Sequence, residues 1–381
     1  MSILSYNDPK NFRLRIAASL LSMKPLTIRN IRSNELNPGL KNHETSFLRL
    51  IDSITNGTKI EINDSGTELR FSPGIIISGD VEFACSTDRS VGYFLEGILP
   101  LAPFGKAPLR LSLTGVTDGF ENTEPSVDLI SASMIPLYQH FGVGGDDDVY
   151  PASVQIIKRG AKPLGEGHVE FYCPNVRSLK PIDLTDPGMI KRVRGNAVSC
   201  RISPTSVARL SYSAKGVLHK LLPDVWIATD SHSSSGSKDK KSGVVRQGCG
   251  PSPGLKCILT SESTTGVKLS SEICLEPKSE RGSSLPEDLG KQGAVLLLEE
   301  VQRGGCVDSS SQTFVLMLMA LSPEDVSRVR IGTLSKYTIR SLRTLKDAFG
   351  MEFKIKADKE TKTVMLSNLG VGFKNTAKKV T

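Results

Sequence analysis

The stretch from His43 to Gly74, HETSFLRLIDSITNGTKIEINDSGTELRFSPG, changes period partway along. Phe47, Ile51 and Ile54 recur at helical spacing, Gly57 ends that helix, and Ile60/Ile62 then Leu69/Phe71 alternate as paired strands do, with Gly74 closing the unit. The same device returns near the C-terminus. There Ile339, Leu342, Leu345 and Phe349 form a helical stripe, Gly350 follows, and Phe353/Ile355 then Val364/Leu366 alternate ahead of Gly370. A third version lies between them, with longer inter-strand loops. It has a strand at Leu109/Leu111/Leu113, a helix turning Val127, Ile130, Met134, Leu137 and Phe141 inward, Gly142, and strands near Val154 and Val169. A helix layered on a sheet cannot bury its apolar face alone. The expected architecture is therefore α/β (α+β): three stacked helix-on-sheet repeats sharing one core.

Residues 183–283 break this pattern and predict a smaller inserted α/β domain. A strand at Ala197 to Ile202 leads to a helix capped by Ser203-Pro204 with Val207, Leu210, Ala214, Val217 and Leu221 inward. A strand at Val225 to Ala228 and two more near Ile258 and Val267 complete it. Ser231 to Lys241 is a Ser/Gly/Lys run with the composition of a mobile loop. The expected division is 1–182 for repeats one and two, 183–283 for the insert and 284–381 for repeat three. Two further helices are expected from their caps, one from Ser284 and Pro286 through Val301, the other behind Ser322-Pro323-Glu324-Asp325 ahead of Val326.

Apolar residues make up 38% and charged residues 23% of the 381-residue chain, an ordinary balance for a folded globular protein. No signal core opens the sequence and no apolar run approaches the length of a bilayer span, so no membrane role is expected. The seven cysteines Cys85, Cys173, Cys200, Cys249, Cys257, Cys274 and Cys306 are scattered, without a CxxC pair or metal-ligand spacing, and are expected to be reduced thiols in the cytosol or nucleus. Gly144-Gly145-Asp146-Asp147-Asp148 lacks the spacing of a calcium loop and is expected to be a solvated turn rather than a metal site. Ser231-His232 has no evident orienting carboxylate for a triad. A net charge of +8 favours polyanionic partners.

The repeats with their insert, together with Lys24-Pro25-Leu26-Thr27-Ile28, Ile31-Arg32, Pro38-Gly39-Leu40 with His43, Leu69-Arg70-Phe71-Ser72-Pro73-Gly74, and Arg159-Gly160 with Gly165-Glu166-Gly167, resemble the RNA 3'-terminal phosphate cyclase family over nearly the whole chain. Asn11-Phe12-Arg13-Leu14-Arg15 stands where active cyclases carry a glycine-rich, glutamine-bearing stretch. With Phe47-Leu48-Arg49-Leu50-Ile51 and Val91-Gly92-Tyr93-Phe94, it is similar to the cyclase-like branch associated with small-subunit ribosomal RNA maturation.

A cyclase takes AMP from ATP on a histidine, because imidazole is both neutral and nucleophilic near neutral pH. The resemblance places that histidine just before the last amphipathic helix, and Tyr337 stands there. The histidines are His43, His140, His168, His219 and His232, so the last repeat holds none. The family's ATP-contact motif, an aromatic then Asp-Gln, corresponds to Asp308-Ser309-Ser310-Ser311-Gln312 with only Gln312 kept, and Glu35 replaces a phosphate-meeting arginine. The resemblance thus implies a silenced nucleotide site, with no cofactor, no metal and no catalytic residue.

Lys336, Arg340 and Arg343 recur at i, i+4 and i+7, with Lys346 beside them and Arg328 and Arg330 on an extended segment ahead. These six are the candidate contacts to RNA or a partner; a solvated helix face is the plainer alternative. The expected function is a non-catalytic assembly factor in early precursor ribosomal RNA processing and small (40S) subunit biogenesis, acting in the nucleolus of the nucleus. The resemblance implies precursor ribosomal RNA, a large ribosome-assembly GTPase and other small-subunit processome components as partners. The alternative is a ribosomal RNA endonuclease built on Arg343, Lys346 and a nearby acid. It is disfavoured because Thr344 lies between the two basic residues and arginine is a poor base.

Overall fold

The computed structural model describes residues 3–120, 124–144, 150–234, 237–238, 245–246, 248–275 and 285–378. The first repeat comprises β1 (Leu4–Tyr6), α1 (Phe12–Ser22), β2 (Leu26–Ile28), α2 (Asn42–Ile54), β3 (Thr55–Asn56), β4 (Lys59–Ile62), β5 (Leu69–Ser72) and β6 (Ile75–Ile76). Its sheet runs β1-β2-β5-β4, with β1 and β2 parallel and the remaining pairs antiparallel. The second repeat has β7 (Gly79–Ala84), α3 (Val91–Ile98), β8 (Leu109–Gly115), a helix in three parts, β9 (Ser153–Lys158) and β10 (Gly167–Cys173), with sheet order β7-β8-β10-β9. The three-part helix is α4 (Val127–Leu129), a π turn at Ile130–Met134 and α5 (Ile135–His140). This turn shifts the phase of the helix, so Tyr138 is buried while Leu137, expected inward, is half-buried.

β11 (Asp183–Leu184) opens the third repeat, and an excursion follows: β12 (Ile190–Cys200), α6 (Pro204–Leu218), β13 (Val225–His232), β14 (Ser237–Lys238), β15 (Val245–Arg246), β16 (Gly254–Ser263), β17 (Lys268–Cys274) and α7 (Pro286–Arg303). The chain then completes the repeat with α8 (Gln312–Leu321), β18 (Val326–Ile331), α9 (Lys336–Phe349), β19 (Lys354–Asp358) and β20 (Thr363–Leu369). The order β11-β18-β20-β19 repeats the first two sheets strand for strand.

One core joins all three repeats, from Leu4 to Leu366. Each sheet turns one face to the helices and the other to solvent, as Leu69 and Phe71 point in while Arg70 and Ser72 point out. All ten residues of α8 are buried, among them Phe314, Leu316, Met317 and Leu318. A helix apolar all round has no solvent face and no periodic signal. For that reason the sequence reading missed it and placed a helix behind Ser322 instead. Ser322 ends α8, bonding Leu318 O and Met319 O, and residues 326–331 alternate exposed and buried as β18.

The insert has a second core, built by Val207, Leu210 and Ala214 of α6, Leu255, Cys257 and Leu259 of β16, and Leu289, Ala294 and Leu297 of α7. The helix expected from Pro286 is present, although Ser284 lies outside the described residues. Its apolar face packs with the insert, while β11 belongs to the third sheet. On this packing we propose the insert as residues 185–303 in place of 183–283. The Ser231 to Lys241 run is only partly loop. Ser231 and His232 finish β13, Ser237–Lys238 pairs with Val245–Arg246, and residues 235–236 and 239–241 lie outside the described set. Residues 145–148 of the acidic run also lie outside it.

Candidate functional site

Tyr337 sits in the first turn of α9, which starts where the Ser335 hydroxyl accepts the Thr338 N–H and ends at Gly350 in the left-handed region, φ 70°. The helix is rotated from its expected setting. Thr338, Ser341, Thr344, Leu345 and Ala348 are buried, Leu342 and Phe349 are half-buried, and Ile339 is exposed. Small hydroxyl residues face inward because α9 packs closely on α1 and α8. Asn11 Nδ2 donates to Ser341 Oγ at 2.9 Å, Thr338 Oγ1 donates to Gln312 Oε1 at 2.8 Å, and the Thr313 and Ser341 hydroxyls are 3.3 Å apart.

On one side Tyr337 is packed closely by protein. Arg13 Nη1 lies 2.7 Å from Glu96 Oε2 and donates to Tyr93 O at 2.8 Å, and its guanidinium stacks over the Tyr93 ring at 4.1 Å. Burial and the neighbouring Glu96 push the Tyr337 hydroxyl well above its ordinary range, so it stays protonated at neutral pH. The cavity enclosed by Arg13, Glu96, Gly97, Thr313, Phe314 and Tyr337 measures about 20 Å³, room for about one water. Gln312 is held by Thr338, and the buried Ser311 hydroxyl by Ser133 Oγ at 3.3 Å. Glu35 is not brought to this place. It is exposed on the loop after β2, lining a separate depression with Lys41, Asp88 and Arg89.

Tyr337 also borders an open groove of about 460 Å³ between the body and the insert. Its body wall carries Arg13, Glu96 and Glu124; its insert wall carries Glu272 of β17 and Glu299, Glu300 and Arg303 of α7. These carboxylates were missed from sequence. They come from α3, the segment before α4, β17 and α7, so no local spacing announces the cluster. Of the charged residues in it, Arg13 lies in a stretch singled out by the resemblance, and Glu299 and Glu300 lie on the helix expected from Pro286.

The six basic candidates separate. Arg328 and Arg330 lie on the outer face of the third sheet, opposite Val329 and Ile331 in the core, and pair with Asp183 at 3.8 Å and Asp358 at 3.4 Å. Lys346 pairs with Glu352 at 2.5 Å. Among the described residues, Lys336, Arg340 and Arg343 form no ion pair, and Lys336 and Arg343 are exposed. The patch expected from sequence is thus a three-residue stripe on α9 with the sheet between it and the β18 arginines. His232, expected in a loop without a carboxylate, has Nε2 2.9 Å from Asp230 Oδ2 and 3.2 Å from Arg159 Nε. No cluster of three metal-ligating side chains occurs among the described residues.

Three βαβαββ repeats around one core, with an insert behind the first strand of the last repeat, define the scaffold, and Tyr337 stands where the resemblance puts a nucleophile. The sequence profile of the RNA 3'-terminal phosphate cyclase family matches residues 7–355, and the chain belongs to that family. It is 44% identical to the RNA 3'-terminal phosphate cyclase-like protein of Homo sapiens, over 98% of this chain and 97% of that one. The probable RNA 3'-terminal phosphate cyclase-like protein of Dictyostelium discoideum is 42% identical over 99% of both chains. The rRNA processing protein rcl1 of Schizosaccharomyces pombe is 39% identical over 96% of this chain and 95% of that one.

Proposed function

We propose that the protein is a non-catalytic factor in precursor ribosomal RNA processing, serving small (40S) subunit assembly in the nucleolus without cyclase activity. The observation that carries this reading is the state of the old nucleophile position. There a half-buried tyrosine, braced by the Arg13–Glu96 pair, stands in place of a nucleophilic imidazole, with about 20 Å³ on one side and an acid-lined groove on the other. The relative named as an rRNA processing protein supports the pathway, and the stripe Lys336, Arg340 and Arg343 is the proposed RNA-contacting surface. A large ribosome-assembly GTPase and other small-subunit processome components are proposed partners on the strength of family membership.

The endonuclease alternative has less support. Thr344 is buried and donates its hydroxyl to Arg340 O, Lys346 is tied to Glu352, and Asp347 Oδ2 accepts the Tyr6 hydroxyl at 3.2 Å. The test is incubation of the full chain with radiolabelled ATP and, separately, with precursor RNA spanning the small-subunit region. Retention of the RNA uncut, with no labelled protein, is expected. A covalent AMP adduct would overturn the loss of cyclase chemistry, and a discrete cut would establish the nuclease.

A further inference from the structure

The groove beside Tyr337 has a charge opposite to what a nucleotide needs. Its lining holds Glu96, Glu124, Glu272, Glu299 and Glu300 against Arg13 and Arg303, five carboxylates to two guanidiniums. Glu96 is matched by Arg13 and Glu300 by Arg303, while Glu299 reaches Arg303 at 3.8 Å. Glu272 has no cation within ion-pair reach among the described residues. Its Oε1 accepts the Ser126 N–H at 2.7 Å, and its Oε2 is buried without a partner. Glu124, 8% exposed, gives Oε1 to Arg89 at 3.3 Å and likewise leaves Oε2 buried and unmatched. The Ser271 hydroxyl, 8% exposed, also has no partner. A buried carboxylate oxygen without a donor is costly, so two such oxygens at one groove, unmatched among the described residues, indicate a missing donor.

We propose that this groove has exchanged a nucleotide for a basic side chain, and that it binds an arginine- or lysine-bearing segment of a protein partner. The proposal rests on the reading that no nucleotide binds there. Glu124 stands on the body wall and Glu272 on the insert wall, so a cation in the groove lies between carboxylates of opposite walls. Pro125, Leu129 and Leu296 give the lining an apolar part suited to the methylene stem behind a guanidinium or ammonium. Glu299 at the mouth, half-exposed on α7, continues the acidic track for a second basic residue. A metal ion is the poorer fit, since the groove presents single oxygens and no three ligating side chains converge among the described residues. RNA would meet the same net negative lining that excludes a triphosphate.

The test uses the full chain and a fluorescein-labelled hexa-arginine peptide, with hexa-citrulline as its uncharged isostere, followed by fluorescence anisotropy. Saturable one-to-one binding of the arginine peptide only is expected. Glu124→Gln/Glu272→Gln should weaken it by about tenfold or more, and Glu61→Gln, on the outer face of the first sheet, should leave it unchanged. Glu299→Lys, on an exposed helix face that cannot unfold the protein, should also weaken it about tenfold. Equal binding by wild type, double variant and Glu299→Lys, or no binding by wild type, would overturn the proposal. Displacement of the peptide by ATP would instead overturn the reading beneath it. Displacement by a single-stranded RNA oligonucleotide that retains Lys336, Arg340 and Arg343 as contacts would reassign the groove to RNA.

Discussion

At the position proposed for the lost nucleophile, Tyr337 stands among residues already engaged with one another. Returning a histidine there, Tyr337→His, leaves Arg13 paired with Glu96, Gln312 held by Thr338 and Ser311 held by Ser133. The variant is therefore expected to form no AMP adduct with labelled ATP, and recovered adenylylation would mean that these contacts yield. Glu272 supports a second prediction, on stability. Burial raises its carboxyl from an ordinary 4.5 to about 7, against the Ser126 hydrogen bonds that lower it. Its folded pKa lies above its unfolded one, so wild type is fully relieved below 4.5 and loses stability as pH rises from 4.5 through 7. Glu272→Gln keeps an oxygen for the Ser126 N–H and has no proton to lose. Urea unfolding should find the variant more stable than wild type by on the order of 2 kcal/mol at pH 8 relative to their difference at pH 5, allowing for partial solvent screening. A pH-independent difference would contradict the burial of Glu272. The absence of a histidine beyond His232 was legible in the sequence. The carboxylates around the groove were not, because residues 96, 124 and 272 meet only in the fold.

At the scale of the element, α9 was found from its spacing but set at the wrong rotation. Its amphipathic pattern counted Ile339 as inward, whereas contact with α1 and α8 selects the face of Thr338, Ser341 and Thr344, whose hydroxyls a hydrophobicity pattern scores as surface. The basic stripe survives this rotation and the β18 arginines leave it. Single-stranded RNA affinity should fall with salt at a log–log slope of roughly −0.7 per phosphate contact. Replacing Lys336, Arg340 and Arg343 together by alanine should flatten that slope by about two units without loss of helix, since alanine is a strong helix former. Arg328→Ala/Arg330→Ala should change it far less, both being paired on the far side of the sheet. If the β18 pair moved the slope as much as the stripe did, RNA would have to cross the sheet face. Loss of protein-partner binding with an unchanged slope would make the stripe a docking surface.

The whole molecule is a body and an insert joined by a buried charge cluster. Lys256 of β16, 2% exposed, reaches Asp118 at 2.7 Å and Asp128 at 2.6 Å in the second repeat, and Arg159 holds Asp128 through two further bonds at 2.9 and 3.1 Å. Lys256→Met strands Asp118 and leaves Asp128 to Arg159 alone, and is expected to cost about 3–5 kcal/mol. It should also split thermal unfolding into two transitions, because each part keeps its own core. A single transition at the wild-type temperature would show that the cluster carries nothing between them. The three repeats were legible because each carries its own helix-then-strand periodicity. The wider limits proposed for the insert rest on packing that carries no local signal, since β11 is two residues long and α7 packs back onto the core of α6. The proposed loss of the nucleotide site is the feature on which the functional account turns, and calorimetric titration of magnesium ATP into the full chain tests it most directly. The account predicts no saturable heat up to millimolar nucleotide, and one-to-one binding in the micromolar range would contradict it.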